Sequence, residues 1–236
     1  MSGALDPAEA VRVEDLSIAY KLGKYIVKNV SFSVKKGTAT VITGRSGCGK
    51  STLCSALCGL MPSVIKAEIS GRVLYSAPDG GPAADISKVS EAERASLVGM
   101  VFQDPDDQLI CSTVEDEIAF GLENLCMPYS QMRERVDEQL RYFDIEHLAL
   151  KDPSELSGGQ KKIVTIASVL SMEPQVLILD EPMTGLDEPA RKTVREAIMK
   201  LKCDGKTLII VEHWTDTADY ADEFINIEKL YDKRTL

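Results

Sequence analysis

No stretch of this chain is apolar for long enough to cross a bilayer, which takes about 20 residues. Its aliphatic runs, such as Leu177–Leu179 and Leu208–Val211, fall far short. A membrane role must therefore come through a partner. Basic charge is also scarce: 27 Lys and Arg against 37 Asp and Glu leave a formal charge of −10. With no bulk positive footprint for tracking a phosphodiester backbone, nucleic acid is not expected as a partner. The six cysteines (Cys48, Cys54, Cys58, Cys111, Cys126, Cys203) form no CxxC pair. They suggest neither a zinc ribbon nor a disulfide framework, and a reducing cytosol fits best. Cys54 and Cys58 stand four apart on an expected helix, where a metal site would need further ligands and core packing is the simpler reading. The opening MSGALDPAEAVRVEDL has no basic segment followed by an apolar one, so it is not expected to be a signal peptide. No internal repeat or low-complexity tract is visible.

What is present is a chain of 236 residues, 44% hydrophobic, enough for one large α/β domain or two small ones. Short β-type runs at Val11–Tyr20 and Val30–Val34, around the turn-prone Leu22-Gly23-Lys24, predict an antiparallel β layer. Thr38–Thr43, Leu97–Phe102, Val176–Leu179 and Thr207–Val211 are aliphatic without alternation, as strands buried on both faces of a parallel sheet are. Between them Ser51–Leu60, Gln131–Phe143, Gly159–Ser171 and Pro189–Lys202 carry apolar residues at three-and-four spacing, giving the alternating order of an α/β fold. The Gly/Pro-rich Ser76–Asp85 reads as a hairpin tip. The charged, amphipathic Thr113–His147 reads as a small helical subdomain.

Gly44-Arg45-Ser46-Gly47-Cys48-Gly49-Lys50-Ser51 fits G-x-x-x-x-G-K-[ST] and stands after the strand ATVIT and before a helix, the setting that motif requires. Its glycines let backbone N–H groups turn inward around phosphates, and the helix N-terminus adds a favourable field. Lys50 then spans the β- and γ-phosphates, Ser51 offers a hydroxyl to Mg²⁺, and Thr52 adds a phosphate hydrogen bond. The same field should draw Cys48 toward thiolate. Downstream, the apolar run Val176–Leu179 delivers Asp180 and Glu181 at its C-terminal end. Asp180 suits Mg²⁺, and Glu181 suits the general base that polarises attacking water. The expected cofactors are ATP and Mg²⁺.

Leu156-Ser157-Gly158-Gly159-Gln160 lies before a helix, with Gln160 twenty residues ahead of Asp180. From Val11 to about Ile227 this arrangement resembles the ABC ATPases. The resemblance implies a P-loop NTPase core with a mostly parallel sheet, an N-terminal antiparallel β layer and a helical subdomain. It implies one domain over 11–230, the helical part at roughly 113–170, with 1–10 as an extension. It further implies that Ser157, Gly158, Gly159 and Gln160 meet the γ-phosphate of ATP held by a second subunit in a head-to-tail dimer. Exposed N–H groups at a helix N-terminus suit that role, although a Ser-Gly-Gly turn alone is an ordinary cap. By the same resemblance Gln103 meets Mg²⁺ and reports nucleotide state, Gly185-Leu186-Asp187 crosses the dimer interface, and His213 hydrogen-bonds the γ-phosphate. Tyr20, 24 residues before Gly44, stacks on adenine, with Tyr25 competing for that role. His147 has no such placement. The sequence departs from the family where Ile163 stands for a frequent Arg and Met183 for the usual Ser or Thr.

Val101–Asn124, VFQDPDDQLICSTVEDEIAFGLEN, is similar to the same region of energy-coupling-factor importers, with Gln108, Asp106 and Asp107 carrying much of the likeness. That family implies an ATP-hydrolysing subunit powering import of a vitamin or transition-metal ion. It implies a second ATPase, identical or related, a transmembrane coupling protein, a separate substrate-binding membrane protein, and a peripheral position on the cytoplasmic face of the cell membrane. Acidic residues here would meet basic coupling helices, or simply be a solvated charged face. The alternative, a soluble ABC ATPase of translation or DNA repair, usually shows tandem cassettes, basic linkers or heptad insertions, and none is visible. A non-hydrolysing subunit would lack a base such as Glu181. No extra C-terminal domain is evident after His213, and a short form and one half of a tandem ATPase both stay open.

Overall fold

The structure is a computed structural model that describes residues 5–21, 24–77, 81–212 and 219–230. The chain opens with a long antiparallel pair, β1 (Glu9–Lys21) and β2 (Lys24–Lys35), whose register runs from Glu9 opposite Lys35 to Lys21 opposite Lys24. β3 (Ala39–Thr43) and α1 (Lys50–Leu57) flank the glycine-rich loop. β4 (Glu68–Tyr75) returns to pair with β1, and the two-residue β5 (Ala84–Asp85) pairs with β4. The Ser76–Asp85 stretch, read as a hairpin tip, contains β5 itself, which pairs antiparallel with β4; residues 78–80 of the stretch lie outside the described residues.

α2 (Glu91–Leu97) begins with a capping box between Ser90 and Glu93 and leads into β6 (Val98–Val101). Leu97, expected to open this strand, instead closes the helix. Two further helices follow, α3 (Val114–Asn124) and α4 (Tyr129–Tyr142). Next come α5 (Gly158–Ser171), β7 (Val176–Asp180), α6 (Glu188–Cys203) and β8 (Thr207–Glu212). β9 (Glu223–Asn226) and the single turn α7 (Ile227–Leu230) complete the described chain.

The strands form two sheets. One is antiparallel in the order β2-β1-β4-β5; the other runs β6-β7-β8-β3-β9 with each neighbouring pair parallel. Side chains of a strand alternate between faces. Thus Leu177, Leu179, Leu208 and Ile210 enter one buried cluster with α3, α5 and α6, while Val176, Ile178, Ile209 and Val211 enter another with α1 and the antiparallel layer. Burial on both faces explains the continuous aliphatic character of these strands. Their parallel register brings the C-terminal ends of β3, β6, β7 and β8 to one edge, where Thr43 is level with Glu212 and Asp180 with Val211. Open parallel sheets gather ligand-binding loops at that edge.

Candidate functional site

The phosphate loop leaves β3 at that edge. Gly47 and Gly49 have φ of 76° and 99°, a region that glycine enters without steric cost. Gly49 is the N-cap of α1, and no side chain caps the helix. The Lys50 N–H bonds Cys48, and the dipole of the helix favours an anion at this end. Lys50 is 5% exposed and lies across the loop, its Nζ donating to the carbonyls of Gly44 at 3.1 Å and Arg45 at 3.2 Å. Arg45 and Ser46 are at the surface, and Arg45 faces Glu228 of α7, with Nε 3.8 Å from Oε1. Cys48 departs from expectation: burial pushes its thiol above the ordinary value and Glu228 adds to this, against an opposing pull from Lys50. Loss of solvation outweighs the helix field here.

Asp180 and Glu181 arrive at the end of β7, both buried. Burial pushes the Asp180 carboxyl up, and the neighbouring charge of Glu181 also raises it; a hydrogen bond from the Ser51 side chain and the ammonium groups of Lys50 and Lys162 pull it down. Asp180 Oδ1 is buried without a hydrogen-bond partner. Glu181 sits at φ 45°, a left-handed conformation costly for a side chain with a Cβ. Its N–H donates to Val211 O at 3.0 Å, the Thr184 hydroxyl donates to its Oε2 at 3.2 Å, and its Oε1 is 4.0 Å from Lys50 Nζ. Tyr20 lies beside the start of α1, its hydroxyl 3.2 Å from Thr52 Oγ1. It is 46% exposed, so it is not packed into the core. Tyr25, also exposed, carries the Lys28 ammonium 5.7 Å from its ring centre.

The Ser-Gly-Gly-Gln turn is a capping box: Gln160 N donates to Ser157 Oγ, and Ser157 N donates to Gln160 Oε1 at 3.0 Å. A Cβ on Gly159 would come within 2.8 Å of Ala190 Cβ, so the helix start is pressed onto the first turn of α6. Asp187 caps that second helix by accepting from Ala190 N at 3.0 Å. Ser157 through Gln160, with Gly185 to Asp187, line a cavity of about 820 Å³ whose lining includes no residue of the phosphate loop. Within one chain, then, the two glycine-rich motifs open onto different spaces. His147, read as bland, lines this same cavity.

Gln103 lies just beyond β6 with an exposed side chain. His213 lies outside the described residues; β8 ends one residue before it, at the buried Glu212. Asp106, one of the acidic pair expected to face a partner, is held by Lys161 of α5 at 2.6 Å. Glu117, from the same acidic segment, is turned inward and accepts from the N–H groups of Ile110 and Cys111 at 2.8 Å each. Gln108 braces the end of β6, its amide accepting from Phe102 N and donating to Met100 O, each at 3.0 Å. Ile163 and Met183, the two departures from the family pattern, pack into or against the helical cluster. Cys54 and Cys58 lie in the other cluster, and burial pushes the Cys58 thiol up to about 12.

Sequence reasoning missed Lys162. It is fully buried within α5, and its Nζ donates to Phe102 O at 3.0 Å and Gln103 O at 2.7 Å. Burial pushes this ammonium down, while Asp104, Asp180 and Glu212 hold it up. The signal was present: Lys162 falls on the stripe Gly159, Lys162, Ile166, Val169 at three-and-four spacing, the inward face of the helix.

Comparison with known proteins agrees with this arrangement. Residues 27–184 match the ABC transporter family model. The energy-coupling factor transporter ATP-binding protein EcfA of Methanosarcina acetivorans is 37% identical over 219 residues, covering 93% of this chain and 76% of that protein. Among solved structures, cbiO1 of Clostridium perfringens, part of the ABC transporter complex cbiONQ, superposes with a TM-score of 0.79 at 38% identity, over 93% of this chain and 84% of that one. A dimeric ATP-binding cassette in a post-hydrolysis state with ADP and Pi gives 0.74 at 27% identity, over 92% and 93%. With a phosphate loop, a strand ending in paired carboxylates and a capped signature helix on one cassette fold, the chain belongs to the ABC transporter family as an ATP-binding, ATP-hydrolysing subunit that resembles the energy-coupling-factor ATPases.

Proposed function

We propose that this cassette, residues 11–230 with its helical part at roughly 113–170, powers import through a membrane transporter of the energy-coupling-factor type, carrying a vitamin or a transition-metal ion. It works as one half of a head-to-tail ATPase pair, with an identical or related second subunit. A transmembrane coupling protein and a separate substrate-binding membrane protein complete the assembly. The cassette sits peripherally on the cytoplasmic face of the cell membrane. Among the described residues no helix is long and apolar enough to cross a membrane, so attachment runs through those partners.

The observation that carries this reading is the separation of the two glycine-rich motifs. Lys50, Ser51, Asp180 and Glu181 converge on the phosphate loop, while Ser157–Gln160 open onto a cavity that the loop does not line. Such a division makes chemical sense when the signature of one subunit closes over the nucleotide of another. In this mechanism the loop N–H groups and Lys50 hold the phosphates, leaving the Gly44 and Arg45 carbonyls that now occupy its ammonium. Tyr20 stacks on adenine, and Thr52 contacts phosphate. Glu181 takes the proton from the attacking water, while the Thr184 hydroxyl holds its carboxylate and the hydrogen bond from its N–H to Val211 O holds its backbone. His213 and Gln103 contact the γ-phosphate side. Ser157 and Gly159 from the partner stabilise charge that develops there.

The residues present also fit Mg²⁺, a hard cation that takes oxygen ligands. Asp180 has a buried oxygen without a partner beside the Ser51 hydroxyl, and Ser51, Asp180 and Gln103 would hold the ion. Bound there, it supplies neutralisation of phosphate charge.

The test is Glu181→Gln, which keeps the shape and removes the base. Hydrolysis should fall by roughly 10²–10⁴-fold while ATP binding persists. Light scattering should then report a dimer with ATP and Mg²⁺ that disperses with ADP. A variant that stays undimerised with ATP, even with its cognate ATPase partner supplied, refutes the shared site.

A further inference from the structure

We propose that Lys162 is a positioning residue that ties the two half-sites of one chain together, by holding the backbone of Phe102 and Gln103 from within the signature helix. This rests on the proposed roles of Gln103 and Ser157, and goes beyond them by naming what joins them.

The geometry that supports it is short and continuous. Helix α5 begins with the capping box of Ser157 and Gln160, and Lys162 lies less than two turns further on. Its ammonium donates to the Phe102 carbonyl at 3.0 Å and to the carbonyl of Gln103 itself at 2.7 Å. The side chain has no solvent exposure, so its ammonium cannot exchange these carbonyls for bulk water in place. Charge-assisted bonds are stronger than neutral ones, and two of them from one ammonium hold two successive peptide planes in place. The other side of that loop is already braced, because Gln108 bridges Phe102 N and Met100 O. The stretch carrying Gln103 is thus gripped from two sides, and one grip belongs to the helix whose first residues face the partner's nucleotide.

Gly159 lies so close to α6 that an added Cβ would come within 2.8 Å of Ala190 Cβ, and Gln103, Gly158, Lys162 and Leu186 line one cavity of about 590 Å³. A shift of α5 when the partner's nucleotide engages Ser157 must carry Lys162 with it. Lys162 in turn moves the carbonyl of Gln103, beside the nucleotide held in cis. A hydrophobic residue at this position would pack equally well but would transmit nothing to the loop. The expected signature of losing Lys162 is therefore a defect in turnover with nucleotide affinity retained.

The test compares Lys162→Met, which keeps length and removes the donors, with Lys162→Gln, which keeps an NH2 donor group and no charge. Both are measured as the assembled ATPase complex, by ATP binding, kcat, KM and thermal melting. Lys162→Met should lower kcat by about tenfold or more, as loss of a charged hydrogen bond does, with ATP affinity changed less than about twofold. Lys162→Gln should recover part of that loss, leaving kcat about two- to fivefold below wild type. Equal kcat in all three proteins overturns the proposal. So does a Gln variant as slow as Met, or a fall in ATP affinity that matches the fall in kcat. If Lys162→Met does not fold, the Gln variant decides alone: retained affinity with kcat reduced between about two- and fivefold supports it, and wild-type kcat refutes it. Glu181→Gln in the same assay separates the two readings, since an active Glu181→Gln enzyme would overturn the site assignment itself and an active Lys162→Met enzyme only this link.

Discussion

Lys50 and Lys162 are both buried lysines that give their ammonium protons to two adjacent backbone carbonyls. Lys50 does so from a glycine loop at the mouth of a helix, with Glu181 4.0 Å away and the uncapped first turn of α1 beside it. Lys162 does so from the interior of a helix, among Ile163, Ile166 and Val169. The same bonds therefore serve different ends. Lys50 rests on the carbonyls of Gly44 and Arg45 and, in the proposed mechanism, leaves them for phosphate, whereas Phe102 and Gln103 are held by Lys162. A lysine at an anion seat should be judged by what it binds, and a lysine inside a packed helix by what it positions.

The largest effect that can break this contrast is at Lys50. Lys50→Met removes the cation from the phosphate loop without shortening the side chain, and ATP affinity should fall by about 10²–10⁴-fold. That counts roughly 1.5–3 kcal/mol for each of two charged hydrogen bonds to phosphate. Isothermal titration with the nucleotide checks it. If Lys50→Met and Lys162→Met lose affinity equally, the two lysines do the same job and the distinction drawn between them fails.

Why one of these lysines was legible in the sequence and the other was not follows from how each is specified. Lys50 is fixed by local chemistry: Gly47 and Gly49 must adopt positive φ, and the strand before and helix after them are short and strongly patterned. The same holds for Asp180 and Glu181, which follow a run buried on both faces. Lys162 is fixed by tertiary contacts, since its partners lie about 60 residues earlier in the chain, and a lysine next to Lys161 reads as solvated. The antiparallel layer shows a similar limit. β4 was not anticipated because Ser70, Gly71 and Arg72 interrupt its apolar pattern; Gly71, at φ 88°, is required where a Cβ would strike the Glu14 and Asp15 carbonyls at 2.5 Å. The β2 strand also begins earlier than expected, at Lys24, because lysines occupy its exposed positions. Cys48 was misjudged by weighing the helix field and not the burial supplied by the surrounding fold.

A smaller effect sharpens the comparison from the carboxylate that both lysines face. Asp180 is buried with its carboxyl raised, chiefly by loss of solvation, although Lys50 and Lys162 pull against that. A raised folded value means the ionised group costs stability at neutral pH. The cost disappears once both folded and unfolded chains are protonated. Asp180→Asn should therefore raise the Tm of the nucleotide-free protein by a few degrees near pH 7, and the gain should shrink as the pH falls toward 3.8, the ordinary carboxyl value. Calorimetry at two pH values checks it. A lower Tm in the variant at pH 7 would mean that pairing with the lysines outweighs burial.

The smallest effect expected is at Lys161, the immediate neighbour of Lys162. Its ammonium bonds Asp106 at 2.6 Å, so it too connects α5 with the loop after Gln103. On sequence alone the two lysines are equivalent, and on distance this bond is the shorter. Burial separates them, because Asp106 is 66% exposed on its side chain and water can replace either partner. An ion pair open to solvent contributes about 0–1 kcal/mol and is weakened further by salt. Lys161→Ala should thus change kcat by less than about threefold, with a difference that fades at high ionic strength. The Lys162→Met defect should persist in salt, since the Lys162 side chain is fully buried. Steady-state rates of both variants at low and high salt make the comparison. If Lys161→Ala is as slow as Lys162→Met and equally insensitive to salt, contact between the helix and the loop matters more than burial, and the connection between the half-sites runs over the surface.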